Sequence, residues 1–275
     1  PKGQGQRQGV ITAPIPDTYR GEFKADDASA GQKYAEQAIG LLRQHDQGVA
    51  AFISEPIVGC GGQIPLAPGY LQTLYPEVRA QGGLCISDEV QVGFGRLGQH
   101  FWGFLAQEVT PDIVVLGKPM GNGHPIGAVV TTQAVADAFS EGVEFFSSFG
   151  GNPVSCAIGL AVLDVIEEEG LQQHALEVGD YYLKSLEQLA QTYPHIGDVR
   201  GSGLFIGVEF VLPDGLTPDT VLAQEVKSYL RAQHILTGTD GPFDNVLKSK
   251  PPLCFNKQNV DQVVATIGEL LSQKS

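Results

Sequence analysis

Three short apolar stretches each deliver a charged side chain at their carboxyl end, and this recurrence constrains the fold more than any other feature of the chain. Val49-Ala50-Ala51-Phe52-Ile53 runs into Ser54-Glu55-Pro56, Leu84-Cys85-Ile86-Ser87 into Asp88-Glu89, and Ile113-Val114-Val115-Leu116 into Gly117-Lys118. Continuous apolar runs of this length read as buried strands. Helical spacing from Ala30 to Gln44 precedes the first of them, and a second helical stretch, Tyr70 to Ala80, leads through Gly82-Gly83 to the next. Such alternation builds a mostly parallel sheet with helices on its faces, and the carboxyl edge of that sheet is where ligands bind.

Gly127 to Thr131 reads as one more strand, and Asn152-Pro153 opens an apolar helix from Val154 to about Glu168, expected to be buried nearly all round. After Gly170 come an amphipathic helix (Leu171 to Thr192), two strand-like stretches (Ile196 to Arg200 and Leu204 to Val211), a helix from Thr220 to Gln233 and another near Val260 to Leu271. The expected architecture is therefore α/β over residues 1–168, followed by a smaller α+β domain over 169–275.

Composition narrows the function classes. A hydrophobic content of 42% supplies a core without staples, and a net charge of −14 repels nucleic acid and anionic membranes as general partners. Cys60, Cys85, Cys156 and Cys254 form no CxxC pair, which speaks for a reducing cytoplasm. The start, Pro1-Lys2-Gly3-Gln4-Gly5-Gln6, has no apolar signal core and no initiator methionine, and reads as cut from something longer.

Lys118 precedes a run of turn formers, Pro119-Met120-Gly121-Asn122-Gly123. A partly enclosed lysine there has a lowered pKa and can attack an aldehyde; an exposed loop lysine is the bland alternative. Asp88 either caps a helix, binds a metal or pairs with a cation. The six histidines are dispersed without metal-ligand spacing, which weakens the metal reading; a structural cap stays open, and a cationic organic partner such as a protonated pyridine would satisfy Asp88 as well. Gly93-Phe94-Gly95-Arg96-Leu97-Gly98 spells GxGxxG, but no helix opens at the glycines, so a tight loop over the sheet edge is the better reading. Ser147-Ser148-Phe149-Gly150-Gly151-Asn152-Pro153 stands ahead of a long helix and is either a phosphate cradle or a plain N-cap.

Together these stretches resemble the class III aminotransferases of the fold type I pyridoxal-phosphate enzymes, over essentially the whole chain. Ser54-Glu55-Pro56-Ile57-Val58-Gly59-Cys60-Gly61-Gly62 is similar to the family's Glu-Pro segment, with Cys60 where glutamate is more usual. Ile86 to Arg96 is similar to its aspartate motif, Leu116-Gly117-Lys118 to its lysine motif, and Ser148 to Pro153 to its Thr-Phe/Tyr-Gly-Gly-Asn-Pro motif, with serine for threonine.

The resemblance implies pyridoxal 5'-phosphate as cofactor, with Lys118 as the Schiff-base lysine and proton shuttle and Asp88 as partner of the pyridine nitrogen. It also implies that Val90 packs on the ring, that Gln91 reaches the phenolic oxygen and that Glu55 belongs to the cofactor site. Ser148 would reach the cofactor phosphate of a partner subunit, which implies a homodimer with shared sites. The implied activity is transfer of an amino group between an amine or amino acid and a 2-oxo acid.

Lys248, in Val246-Leu247-Lys248-Ser249-Lys250-Pro251-Pro252-Leu253, stands where many members carry an arginine. With Gly117 to Pro125 and Gly203 to Gly207, this stretch is similar to the subgroup containing the phosphoethanolamine and phosphohydroxylysine phospho-lyases. Elimination of phosphate from an O-phosphorylated amino alcohol is thus the alternative activity, and a non-catalytic dimerisation module is a third reading. Pro16 to Gly21 resembles a segment from the middle of family members, so the family's upstream part is expected to be missing here.

Overall fold

The computed structural model describes residues 9–45, 48–142 and 144–274. The chain opens with α1 (Ala30–Leu42), whose Tyr34, Ala35, Ala38, Ile39 and Leu42 form one buried stripe. Two short strand pieces, β2 (Ile57–Val58) and β3 (Ile64–Pro65), follow β1 (Ala51–Ser54) and pair with each other. Next comes α2 (Tyr70–Ala80), which buries Tyr70, Leu71, Leu74, Tyr75 and Val78 and ends at the expected glycines, with Gly82 at φ 82°. β4 (Leu84–Asp88) and β5 (Ile113–Leu116) complete the parallel set; β6 (Ala128–Thr131) joins antiparallel, giving the order β1-β4-β5-β6.

Residues paired across a ladder share a face, so the register sorts the sheet's side chains. Phe52 and Cys85 pack with α1 and α2. Val114, Leu116 and Ala128 pack with Phe94 and with Ile166 of α4 (Pro153–Glu168), which follows α3 (Gln133–Ser140). Alternating with these, Ile53 pairs with Ile86, Asp88 with Val115 and Val115 with Val129. This second face is open at Ile53 and Val129, which are 59% and 65% exposed. Alternation thus puts Asp88 on the open face.

α4 departs from expectation. It starts where the sequence placed it, with Asn152 Oδ1 accepting the Ser155 N–H, yet only Gly159 and Ile166 are buried, and Leu160 is 62% exposed. The helix leans on α5 (Leu171–Thr192) and on the 118–120 turn, and among the described residues nothing covers its remaining apolar sides.

The remaining elements form a second, antiparallel sheet, order β7-β8-β10-β9, built from β7 (Ile196–Ser202), β8 (Phe205–Phe210), β9 (Gly238–Asp240) and β10 (Val246–Ser249). α5, α6 (Thr220–Ala232) and α7 (Lys257–Ser272) cover one side. Every residue of β8 is buried. Ile206, Val208 and Phe210 face the helices, whereas Phe205 packs with Ile57, Val92 and Leu97, and Glu209 meets Arg20 and Arg200. β8 therefore cements the C-terminal sheet to the segment that follows β4.

Candidate active site

The three strand ends converge as the sequence predicts. Ser54 pairs with Ser87 in parallel register, so Glu55 and Asp88 leave adjacent strands in step, and Lys118 follows β5 after Gly117. Glu55 Oε2 accepts the Gly59 N–H at 3.1 Å. Burial pushes the Glu55 carboxyl above the ordinary carboxylate range; the Asp88 charge adds to that push, while Lys250 and Lys118 pull against it. Asp88 and two lysines therefore all bear on Glu55.

Asp88 Oδ1 accepts the Val90 N–H at 3.0 Å, whereas Oδ2 takes no hydrogen bond from the described residues. The half-buried carboxylate is pinned through one oxygen and free to meet a cation through the other. Its neighbour Glu89 turns into the core, where it accepts hydrogen bonds from Gly103 N–H, Phe104 N–H and Ser87 Oγ. Glu55 and Asp88 open onto a cleft of about 630 Å³, also walled by Ser54, Ile53, Val10 and Ile15.

Lys118 is exposed, not partly enclosed, because the turn it begins rests on α4 and leaves its side chain in solvent. Its backbone sits at φ 33°, in the left-handed region that a residue with a Cβ avoids. Holding a non-glycine residue there costs on the order of 1–3 kcal/mol, and such strain clusters at functional positions.

Val90 is half-buried, and its Cγ1 lies 3.4 Å from where a Cβ on Gly117 would stand, which brings the β4 turn against the Lys118 loop. Gln91 Oε1 accepts the Lys250 Nζ at 2.9 Å. Gly59 lets the parts close up: a Cβ there would lie 2.7 Å from Gln91 Nε2 and 3.0 Å from Glu55 Oε2. Ser148 stands apart, exposed on the segment before α4, and no hydrogen bond joins it to the others.

Sequence reasoning passed over Lys250, having weighed Lys248 alone. The signal was the Lys-x-Lys spacing at the end of a strand, since alternation puts both side chains on one side. Both reach Asp240, at 2.9 Å from Lys248 and 3.9 Å from Lys250. Among the described residues no group of three or more histidine, cysteine, aspartate or glutamate side chains is placed to hold a metal ion, and no helix is long and apolar enough to cross a membrane.

Comparison with known proteins places the chain in a family. Over 281 residues the chain is 50% identical to a Drosophila melanogaster protein named "Alanine--glyoxylate aminotransferase 2-like", covering 99% of this chain and 57% of that one. A phospholyase from Arthrobacter in complex with phosphoethanolamine superposes with a TM-score of 0.89 at 40% identity, covering 96% of this chain and 63% of that one. An amine transaminase from an uncultivated Pseudomonas species, in its PLP-bound form, superposes with a TM-score of 0.87 at 29% identity, covering 95% and 61%. The chain thus spans little more than half the length of these relatives. The model of the family described as aminotransferase class-III matches residues 3–271, and the chain belongs to that family.

Proposed function

We propose that the complete protein binds pyridoxal 5'-phosphate and moves an amino group between an amine or amino acid and a 2-oxo acid. The observation that carries this reading is the placement of Glu55, Asp88 and Lys118 at the ends of adjacent strands, with Gln91 near Glu55 and one Asp88 oxygen open. The donor set suits the cofactor: a carboxylate for a protonated ring nitrogen, an amide for a phenolic oxygen and an amine for an aldehyde.

When bound, the cofactor supplies an electron sink for the pair left at the substrate's α-carbon. Asp88 holds the proton on the ring nitrogen, Val90 packs on the ring, and Glu55 closes the wall beside Gln91. Lys118 Nζ moves the proton at the α-carbon. Ser148, exposed on its segment, is free to reach a cofactor phosphate in a partner subunit, which supports a homodimer with shared sites. We also infer a division at residues 168/169 into a cofactor-binding part and a C-terminal domain, on the strength of the two separate sheets. Residence in the cytoplasm is supported by the four free cysteines.

A second reading, elimination of phosphate from an O-phosphorylated amino alcohol, is favoured by the likeness to the Arthrobacter phospholyase and by Lys248 and Lys250 standing beside the site. The test is borohydride reduction of the complete protein with added pyridoxal phosphate, followed by peptide mapping. Label on Lys118 supports the assignment, and label absent from every lysine overturns it. Phosphate release without an oxo-acid acceptor would select the second activity.

A further inference from the structure

Lys250 is largely enclosed, with its side chain 19% exposed. Its Nζ lies 2.9 Å from Gln91 Oε1, 3.9 Å from Asp240 Oδ2 and 4.5 Å from the ring centroid of Phe205, itself fully buried. Asp240 is held in turn by Lys248 Nζ at 2.9 Å and by Gln63 Nε2 at 2.9 Å. Burial lowers the Lys250 ammonium from the usual lysine range, and Asp240 offsets part of that.

A carboxamide is a two-ended group, and which end faces a site depends on what holds the other end. A lysine ammonium has three donors and no acceptor, so only the oxygen of Gln91 can face it. The amide nitrogen then lies on the other side, by Gly59, where a Cβ on Gly59 would collide with it.

We propose that Lys250 is a positioning residue that locks the Gln91 carboxamide with its oxygen toward the C-terminal sheet, so that the site presents N–H donors to an anionic acceptor oxygen. The inference rests on the pyridoxal-phosphate reading above, in which that acceptor is the cofactor's phenolic oxygen. Without Lys250 the amide loses the donor that holds its oxygen away from the site, and the flipped orientation sets oxygen against oxygen.

The test is cofactor titration of the complete protein, read by absorbance, on wild type, Lys250→Met, Lys250→Arg and Lys250→Glu. Loss of a charge-assisted bond that orients a contact weakens binding about tenfold. The expected result for Lys250→Met is that loss, with a shift in the absorbance maximum of the bound cofactor. Lys250→Arg restores both, because it still only donates. Lys250→Glu is worse than Lys250→Met, since a carboxylate recruits Nε2 and turns the oxygen to the site.

In a Gln91→Leu background, Lys250→Met adds nothing, a cycle that separates positioning from any general loss of folding. Wild type that binds cofactor while Lys250→Met matches it in affinity and spectrum overturns this inference alone. Wild type that binds no cofactor overturns the functional reading and this inference with it.

Discussion

Glu89 Oε2 accepts the Gly103 N–H at 2.8 Å, and the same carboxylate takes the Phe104 N–H through Oε1 at 2.9 Å. One residue after Asp88 turns to the open face, Glu89 thus anchors the buried start of the 3-10 turn Gly103–Gln107. Glu89→Ala leaves two buried N–H groups without acceptors, at about 1–3 kcal/mol each. Urea denaturation of the variant is expected to show a loss of that size; an unchanged midpoint would refute the assigned anchor.

Asp88→Asn keeps an oxygen for the Val90 N–H, so the fold should melt as wild type does. Removing the negative charge that keeps a ring nitrogen protonated lowers turnover by about 10²–10³-fold, the scale of a lost preorganised electrostatic contact. Near-normal turnover in the complete protein would place the site elsewhere.

Gly59→Ala drives a methyl into the space between Gln91 Nε2 and Glu55 Oε2. Both are the ends of flexible side chains, so melting changes little, but the two groups must part. The expected readout is about tenfold weaker cofactor binding, equivalent to roughly 1.4 kcal/mol. Undiminished affinity would show that the pair does not meet the cofactor.

Glu55 gives a pH signature. Burial raises its folded pKa above the unfolded value, so the folded chain keeps this proton to higher pH than the unfolded chain does. The group's contribution to stability is complete below the ordinary carboxylate range and is lost as pH rises through the folded value. Glu55→Gln removes that loss. Melting curves from pH 4 to 7 should show the variant gaining on wild type with rising pH, and a constant gap between them would contradict it.

The parts of the fold legible in the sequence are those set by local patterning. α2 closes at Gly82-Gly83 as read, and β5 matches its apolar run residue for residue. Glu55, Asp88 and Lys118 were singled out because each lies within two residues of the end of such a run. What failed depended on what a segment packs against. α4 is apolar all round but exposed, since hydrophobicity reports what a helix can bury and not whether a neighbour is present. Lys118 was expected to be enclosed on the same logic. Lys250 was missed because its partners, Gln91, Asp240 and Phe205, are distant in sequence. The burial of Glu209 depends likewise on Arg20 and Arg200, which no local pattern connects to it.

Arg96, in the loop that follows β4, donates through Nη1 to the backbone oxygens of Leu204 and Pro251, at 3.0 and 2.6 Å. Every amino acid has a carbonyl oxygen, so the joint does not depend on which side chains occupy positions 204 and 251. Side chains at these two positions can drift without severing the tether. On the donor side the joint hangs on a single codon, where even lysine, lacking the planar fork, is a poor replacement.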